Sequence, residues 1–441
     1  MSTSMYRKKD FEGNRKPVII DGARSPFVKS FGVFEDCDSL ELLSRTIDGL
    51  LRKISIDPLE IDEILAGAVI PQLKNPNVAR DAILNLGLPK HIHGSTLNRA
   101  CTSSLQAIAD AAKTIAFGHP QITIAGGVEV LSDVPIVYSK EARKFLVKLS
   151  KSKSVAAKLE IIQKFSAKAW LPKSPELAEP LTGLTMGEHA EIMAKLNGIS
   201  RKDQDEFAVL SHQRAAKAQE SGVLKSEIVP IWPGPKFDVC IDADNIIRKD
   251  TTVEGISSLK PVFDRKFGTL TAANSSPLTD GSAAVIVADE QRALSLGLKP
   301  KARILDFDFV GVDPADQLLI GPAISIPRIL RRNKLTLNDI DRFEIHEAFA
   351  AQVLSCLRSM ESAKFCEKWF GMSQAFGSIP LDKMNVNGGA IAIGHPFGAT
   401  GARLVTSLTN ELQRSETNRG LGLIAICAAG GMAASILIEK I

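Results

Sequence analysis

No stretch of this chain strings together the roughly 18 consecutive apolar residues that a membrane-crossing helix needs. The N-terminal "MSTSMYRKKDFEGNRKP" has no apolar core, which argues against a signal peptide. Its Asp10 and Glu12 argue against a transit peptide as well. Residues 1–16 read as a polar, mobile arm, and the chain as cytoplasmic. Aromatic residues are scarce, at 5% of 441, so an aromatic stacking platform is not expected. Neither sign of charge dominates: 54 basic and 50 acidic side chains leave +4, with no electrostatic signature of nucleic-acid binding. The six cysteines, Cys37, Cys101, Cys240, Cys356, Cys366 and Cys427, form no CxxC pair and no metal-like spacing. Reduced thiols are expected, and no zinc site.

What the chain does have is small residues and a regular alternation of short apolar runs with helical patterns. "KPVIIDGA" (16–23), "EILAGAVI" (63–70) and "QITIAGGVEVL" (121–131) read as strands. "LELLSRTIDGLLRKI" (40–54) and "NVARDAILNLG" (77–87) read as helices between them. The β/α alternation predicts an α/β fold with helices layered on sheet. The programme restarts at "ARILDFDFVGVDP" (302–314), and "LEIDEILAGAVIP" (59–71) finds an echo in "LNDIDRFEIHEAFA" (337–350). Two similar halves are inferred, 17–133 with 257–292, and 298–441. The insertion between them, 134–256, has another texture. Its part 139–170 is basic, with Lys140, Arg143, Lys144, Lys148, Lys151, Lys153, Lys158 and Lys164, while Phe145, Leu146, Leu149, Leu159, Ile162 and Phe165 recur at helical spacing. Such a segment either packs its own stripe on the domain or lies on an anionic membrane or a partner. Residues 188–222 are helical, with "GIS" as a cap-bearing break.

Four stretches hold a reactive side chain among small residues. In "LNRACTSSLQAI", Cys101 stands between a strand-like run and a helix pattern. It is either a buried packing residue or a nucleophile whose pKa the helix N-terminus lowers. In "NGGAIAIGHPFGATGAR" (387–403), glycines let the backbone crowd a ligand and Pro396 fixes the loop carrying His395. In "ICAAGGMAA" (426–434), Cys427 precedes a small-residue turn that can aim backbone N–H groups at one point. In "EIHEAFAAQ" (344–352), His346 and Glu347 stand at a strand-to-helix junction, suited to acid/base work or to capping the helix. The set is compatible with thiol-based acyl transfer. Spacing alone does not choose that over a redox or structural role.

Taken together, these stretches resemble the thiolase family from about residue 17 onward. "NRACTSSLQAI" is similar to the family's nucleophile segment, "GGAIAIGHPFGATGAR" to its Gly-His-Pro block, and "CAAGGMA" to its C-terminal Cys-Gly block. "GTLTAANSSPLTDGSAAV" (268–285) resembles the segment that holds coenzyme A. The resemblance implies two βαβαβαββ halves in a five-layered α-β-α-β-α core, plus a mainly helical loop domain. It implies Cys101 as the acylated nucleophile, His395 as its activator, and Cys427 as the acid/base. It also implies an oxyanion hole of the Cys101 and Ala429 N–H groups. Many family members have Asn-Glu-Ala-Phe where this chain has His346-Glu347-Ala348-Phe349. The subgroup with His there resembles the thiolase (beta) subunit of the fatty-acid-oxidation complex, and implies that His346 supports a second oxyanion hole beside Glu347.

For binding, the resemblance implies Ser276 and Ala272 at coenzyme A, Arg248 at its nucleotide end, and Phe263 and Met186 along the pantetheine or acyl path. Thr185 and Pro277 depart from the short-chain pattern and match the complex-associated subgroup. The implied activity is cleavage of 3-ketoacyl-CoA by coenzyme A, which is a co-substrate, with no cofactor and no metal. The rivals are a biosynthetic acetoacetyl-CoA thiolase and a non-catalytic lipid-binding or scaffold protein. A decarboxylating ketoacyl synthase on the same fold is a third, and Cys427 argues against it. A homodimer core, a hydratase/dehydrogenase alpha subunit as partner and peripheral membrane contact through the basic segment are the implied associations.

Overall fold

The computed structural model describes residues 15–166, 170, 178–417 and 419–441. The expected arm falls, for residues 1–14, outside the described residues. The first half runs β1 (Pro17–Arg24), β2 (Val28–Lys29), α1 (Ser39–Ile54), β3 (Glu63–Gly67), α2 (Val78–Asn85), β4 (His93–Leu97), α3 (Ser103–Phe117) and β5 (Ile122–Glu129). The insertion holds α4 (Lys140–Lys151), α5 (Val155–Gln163), α6 (Met186–Leu196), α7 (Arg201–Glu220) and α8 (Val253–Ser257). The chain then returns through β6 (Thr279–Asp289) and α9 (Glu290–Ser295). The second half runs β7 (Ala302–Gly311), α10 (Pro322–Arg332), β8 (Arg342–Ile345), α11 (Ala350–Met360) and α12 (Ala363–Phe370). It closes with α13 (Ala390–Ile393), α14 (Thr400–Arg414), β9 (Leu421–Ala428) and β10 (Met432–Lys440).

The sheet order is β4-β3-β5-β6-β1-β7-β10-β9-β8, with β2 on β6. The halves join where β1 pairs antiparallel with β7 at Val18 and Ile19. Each half repeats one order outward from that seam: β1-β6-β5-β3-β4 and β7-β10-β9-β8. The expected third strand of the second half is not formed. Its place is taken by a single parallel bridge, Phe343 to Met384. The reason is Asn385, whose φ of 46° turns the chain away. Its side-chain amide accepts from the Ile345 N–H and donates to the Ile345 C=O, both at 2.8 Å, as the next strand residue would have done.

Alternate residues along each strand face opposite ways, and in β3, β5, β6 and β9 both faces are covered, so these strands are buried throughout. On β6, Ala283, Val285 and Val287 enter the central core while Ala284, Ile286 and Ala288 enter the outer one. On β9, Ile424 and Ile426 face the central core, and Leu423, Ala425 and Cys427 the opposite outer one. The central core is filled by α3 and α14 between the two sheet halves, with α1 and α2 outside one half and α10 and α11 outside the other. These are the five layers.

Local signals explain the helices. Asp38 caps α1 by accepting from the Glu41 N–H at 2.8 Å. Leu42, Leu43, Ile47 and Leu50 of α1 are fully buried, each contributing about 1.5–3 kcal/mol. Capping boxes at Thr185/Glu188 and Ser200/Asp203 start α6 and α7 on either side of the "GIS" break. By contrast, α4 buries only Ala142 and Phe145, and α5 buries none of its residues.

Candidate active site

Cys101 ends the turn between β4 and α3, one residue before the Thr102 N-cap. Ala100 holds a left-handed φ of 47°, a strain of order 1–3 kcal/mol that the surroundings must offset. They do so through hydrogen bonds. The Ala100 N–H donates to Asn98 Oδ1 (3.0 Å), the Arg99 N–H to Ser103 Oγ (2.8 Å), and the Ser103 hydroxyl to the Ala100 carbonyl (2.6 Å). The small hydroxyl residues around the thiol therefore form its mount. Burial pushes the Cys101 thiol up to about 12, against the lowering by the N–H groups of Ala429 and of Cys101 itself. The expected lowering at the helix N-terminus is outweighed here. The resting group is a thiol, and it needs a base.

That base is in place. His395 Nε2 lies 3.2 Å from Cys101 Sγ, and Nδ1 lies 2.7 Å from Thr400 Oγ1. The Thr400 hydroxyl gives its one proton to the Pro396 carbonyl at 3.0 Å, so towards His395 it can only accept. Nδ1 therefore carries the ring proton, and the Nε2 lone pair faces the thiol. Burial, and then the Arg403 charge, lower the His395 pKa to about 3. The imidazole is neutral and able to take a proton.

Cys427 is the penultimate residue of β9, buried, and its thiol is held well above its ordinary value by burial and then by the neighbouring Cys101 and Cys356. A protonated thiol thus faces the nucleophile from the other half of the molecule. The Ala429 N–H reaches the Cys101 sulfur, which converges two amides on one point. His346 follows β8 and stacks beside His395, with ring centroids 4.1 Å apart. Burial first, then His395 and Arg403, hold it well below the usual imidazole range. Both of its ring nitrogens are buried without a protein partner.

Glu347 does not cap α11. It is buried, receives Ser211 Oγ–H and Asn385 Nδ2–H (2.7 Å each), and accepts from the Ile391 N–H at 3.2 Å. It caps α13 rather than α11, and so fixes the loop leading to His395. A side chain at Gly389 would collide with this carboxylate, so only glycine fits there.

The binding candidates divide. Ser276 lies on a segment laced to the site: its N–H donates to the Ala348 carbonyl (3.0 Å), Ser275 bridges Phe349, and Leu278 bridges His395. Ala272, on the same segment, is exposed. Phe263 and Met186 are half-buried against the outer core. Phe263 meets Phe349 edge-on at 5.7 Å and lies over Gly187, where a side chain would collide with its ring. Arg248 is exposed, and its backbone N–H donates to His212 Nδ1. Its guanidinium forms no hydrogen bond or ion pair with the group around Cys101.

Sequence reasoning missed several supports. Thr400 stood in "GHPFGAT", close enough to His395 to be noticed. Glu129, at the end of β5, accepts from Val69, Ile70 and Gly398 N–H groups and ties two loops near Cys101. Arg403, fully buried against Glu344 at 3.4 Å, adds its charge to the burial that holds both imidazoles neutral. Ser211 lies 136 residues from Glu347, and no local signal could have joined them.

A family model described as "Thiolase, N-terminal domain" matches residues 17–291, and one described as "Thiolase, C-terminal domain" matches residues 298–440. The chain is 42% identical over 425 residues to the mitochondrial trifunctional enzyme subunit beta of Bos taurus, covering 96% of this chain and 88% of that one. It is 41% identical over 422 residues to the 3-ketoacyl-CoA thiolase of Yersinia enterocolitica, covering 96% of each. It also resembles the crystal structure of the Bacillus anthracis acetyl-CoA acetyltransferase, with a TM-score of 0.82 and 33% identity over 97% of this chain and 99% of that one.

Proposed function

The chain belongs to the thiolase family of acyltransferases, and on that premise we propose that it is a 3-ketoacyl-CoA thiolase of fatty-acid β-oxidation. Relatives bearing that name over nearly their full length support the reading. The observation that carries the chemistry is the His395 lone pair on the Cys101 thiol, with the Ala429 N–H on the same sulfur.

In the proposed reaction Cys101 sulfur attacks the 3-keto carbon, and its proton passes to His395 Nε2 as the carbon–sulfur bond forms. The oxyanion receives hydrogen bonds, which are strong against developing charge in a dry site. Collapse breaks the C2–C3 bond and leaves an acyl-Cys101 thioester. The departing acetyl-CoA carbanion takes the Cys427 proton, while His395 Nε2–H and the unpartnered His346 nitrogens stand ready for its enolate oxygen. Coenzyme A then gives its thiol proton to the Cys427 thiolate and attacks the thioester, releasing a shortened acyl-CoA, while the departing Cys101 sulfur takes back the proton held on His395 Nε2.

The likeness to an acetyl-CoA acetyltransferase favours one rival, a biosynthetic acetoacetyl-CoA thiolase running the same steps in reverse. Thiolysis rates across 3-ketoacyl-CoA chain lengths test the choice, with Cys101→Ala as the blank. Activity extending to long chains is expected, and strict preference for the four-carbon substrate would overturn it. A homodimer core, a hydratase/dehydrogenase subunit in a larger complex and a cytoplasmic site belong to the same proposal, as does peripheral membrane contact. The larger complex is supported by the name of one relative, a trifunctional enzyme subunit beta, and membrane contact by the exposed Leu146, Val147, Leu159 and Ile162 beside the lysines of α4 and α5.

A further inference from the structure

The insertion reaches into the active site through one carboxylate. Residues 178–185 form a small hairpin, with Ala178 bridging Thr185. The Glu179 N–H donates to the Leu184 carbonyl, and the Gly183 N–H to the Glu179 carbonyl, both at 2.8 Å. Thr182 Oγ1, 2.8 Å from His189 Nε2, ties the hairpin to α6. The Glu179 side chain is buried, and its Oε2 accepts from the Gly430 N–H at 3.1 Å. Among the described residues its other oxygen accepts from the Leu181 N–H, at 3.4 Å.

Gly430 belongs to the turn that presents Ala429 to the nucleophile. The β9–β10 ladder stops at Ala428 and Met432, so the three residues between are outside it. Gly430 and Gly431 have φ of 78° and 65°, a conformation open to glycine but not favoured over others by it. Val312 N–H, donating to the Gly431 carbonyl at 2.7 Å, holds one side of the turn. On the other side stands Glu179, whose Oε2 accepts from the Gly430 N–H.

We propose that Glu179 is a positioning residue for the oxyanion hole, holding the 429–431 turn so that the Ala429 N–H stays aimed at the reacting carbonyl oxygen on Cys101. This rests on the acyl-enzyme reaction proposed above. It assigns the insertion a part in the chemistry, through a residue that touches neither substrate nor sulfur. An oxyanion donor acts mainly in the transition state, so loosening one lowers kcat and leaves KM in place.

The test uses the full chain with Glu179→Ala, Glu179→Asp and Glu179→Gln. Two readouts are followed: steady-state thiolysis of a 3-ketoacyl-CoA, and the single-turnover rate of Cys101 acetylation by acetyl-CoA, seen by intact mass. The Ala and Asp variants are expected to lose roughly 10- to 100-fold in kcat and in acetylation rate, with KM within about twofold. Gln keeps an acceptor oxygen and is expected within about threefold of the parent. The Asp variant keeps the charge but not the reach, and serves where Ala fails to fold. Parental kcat in Ala or Asp, loss confined to KM, or a Gln variant as slow as Ala would overturn the assignment. A parent that acetylates Cys101 but cleaves no 3-ketoacyl-CoA would overturn the substrate reading instead, with the acetylation rates still deciding the role of Glu179.

Discussion

Thr400→Val keeps the volume of a buried side chain and removes one oxygen. That oxygen accepts the His395 Nδ1 proton at 2.7 Å. The Pro396 carbonyl loses the Thr400 hydroxyl but keeps the Ala399 and Thr400 backbone N–H groups, at 2.9 and 3.1 Å. The damage is therefore confined to one buried N–H, whose loss of a partner costs about 1–3 kcal/mol. The cost falls on the tautomer that points its lone pair at Cys101, because the other tautomer needs no acceptor at that place. Populating the active tautomer then costs that amount, which is roughly 10- to 100-fold in rate. The assay is single-turnover acetylation of Cys101 at saturating acetyl-CoA, followed by intact mass. Thr400→Ser restores the acceptor and is expected within about threefold of the parent. Parental rates in the Val variant, or a Ser variant as slow as Val, would refute the tautomer assignment.

Two further expectations concern stability and pH. Arg24, fully buried on β1, is held by both oxygens of Asp244 at 2.7 and 2.8 Å and more loosely by Glu227 at 3.5 Å, so Asp244→Ala removes its main partner and should cost about 3 kcal/mol, read by denaturant unfolding. A cost below about 1 kcal/mol would contradict a desolvated pair. With the His395 pKa lowered to about 3, acetylation of Cys101 should stay level from pH 8 to about pH 5; a midpoint near 6.5 would show an imidazole still in contact with solvent. The sign for folding follows from the same shift: His395 contributes its full stability above about pH 6.5, and loses it as pH falls towards 3. His395→Asn should flatten that part of the stability profile.

Much of the architecture was legible because the local signals agree with the fold. The Asp38 cap, the two capping boxes and the buried apolar runs each name their element. Helix α10 was not legible, since Pro322 and Pro327 argue against a helix. The structure accommodates Pro322 at the first position, whereas Pro327 lies inside the helix and removes the bond to the Ala323 carbonyl, a loss offset by the buried Ile324, Ile326, Ile329 and Leu330. The reactive side chains stood out by their small neighbours, but their states did not. A thiol beside a helix start suggests a low pKa, and only the packed structure shows burial winning by raising it. Partners such as Arg24 and Asp244, 220 residues apart, exist only once the insertion has folded back onto β1.

The strands that precede and follow the insertion are neighbours, with Glu129 of β5 paired to Gly281 of β6. Chain added or removed between them need not disturb the register of the sheet, and the entropy of closing a longer loop grows only slowly. Such a place tolerates lineage-by-lineage remodelling. The tolerance is uneven, however, because Ser211 and Asp244 lie inside the insertion yet brace the Glu347 loop and Arg24. Helices α4 and α5, almost free of buried side chains, form the exchangeable tip, and the remainder is bound to coevolve with the halves it braces.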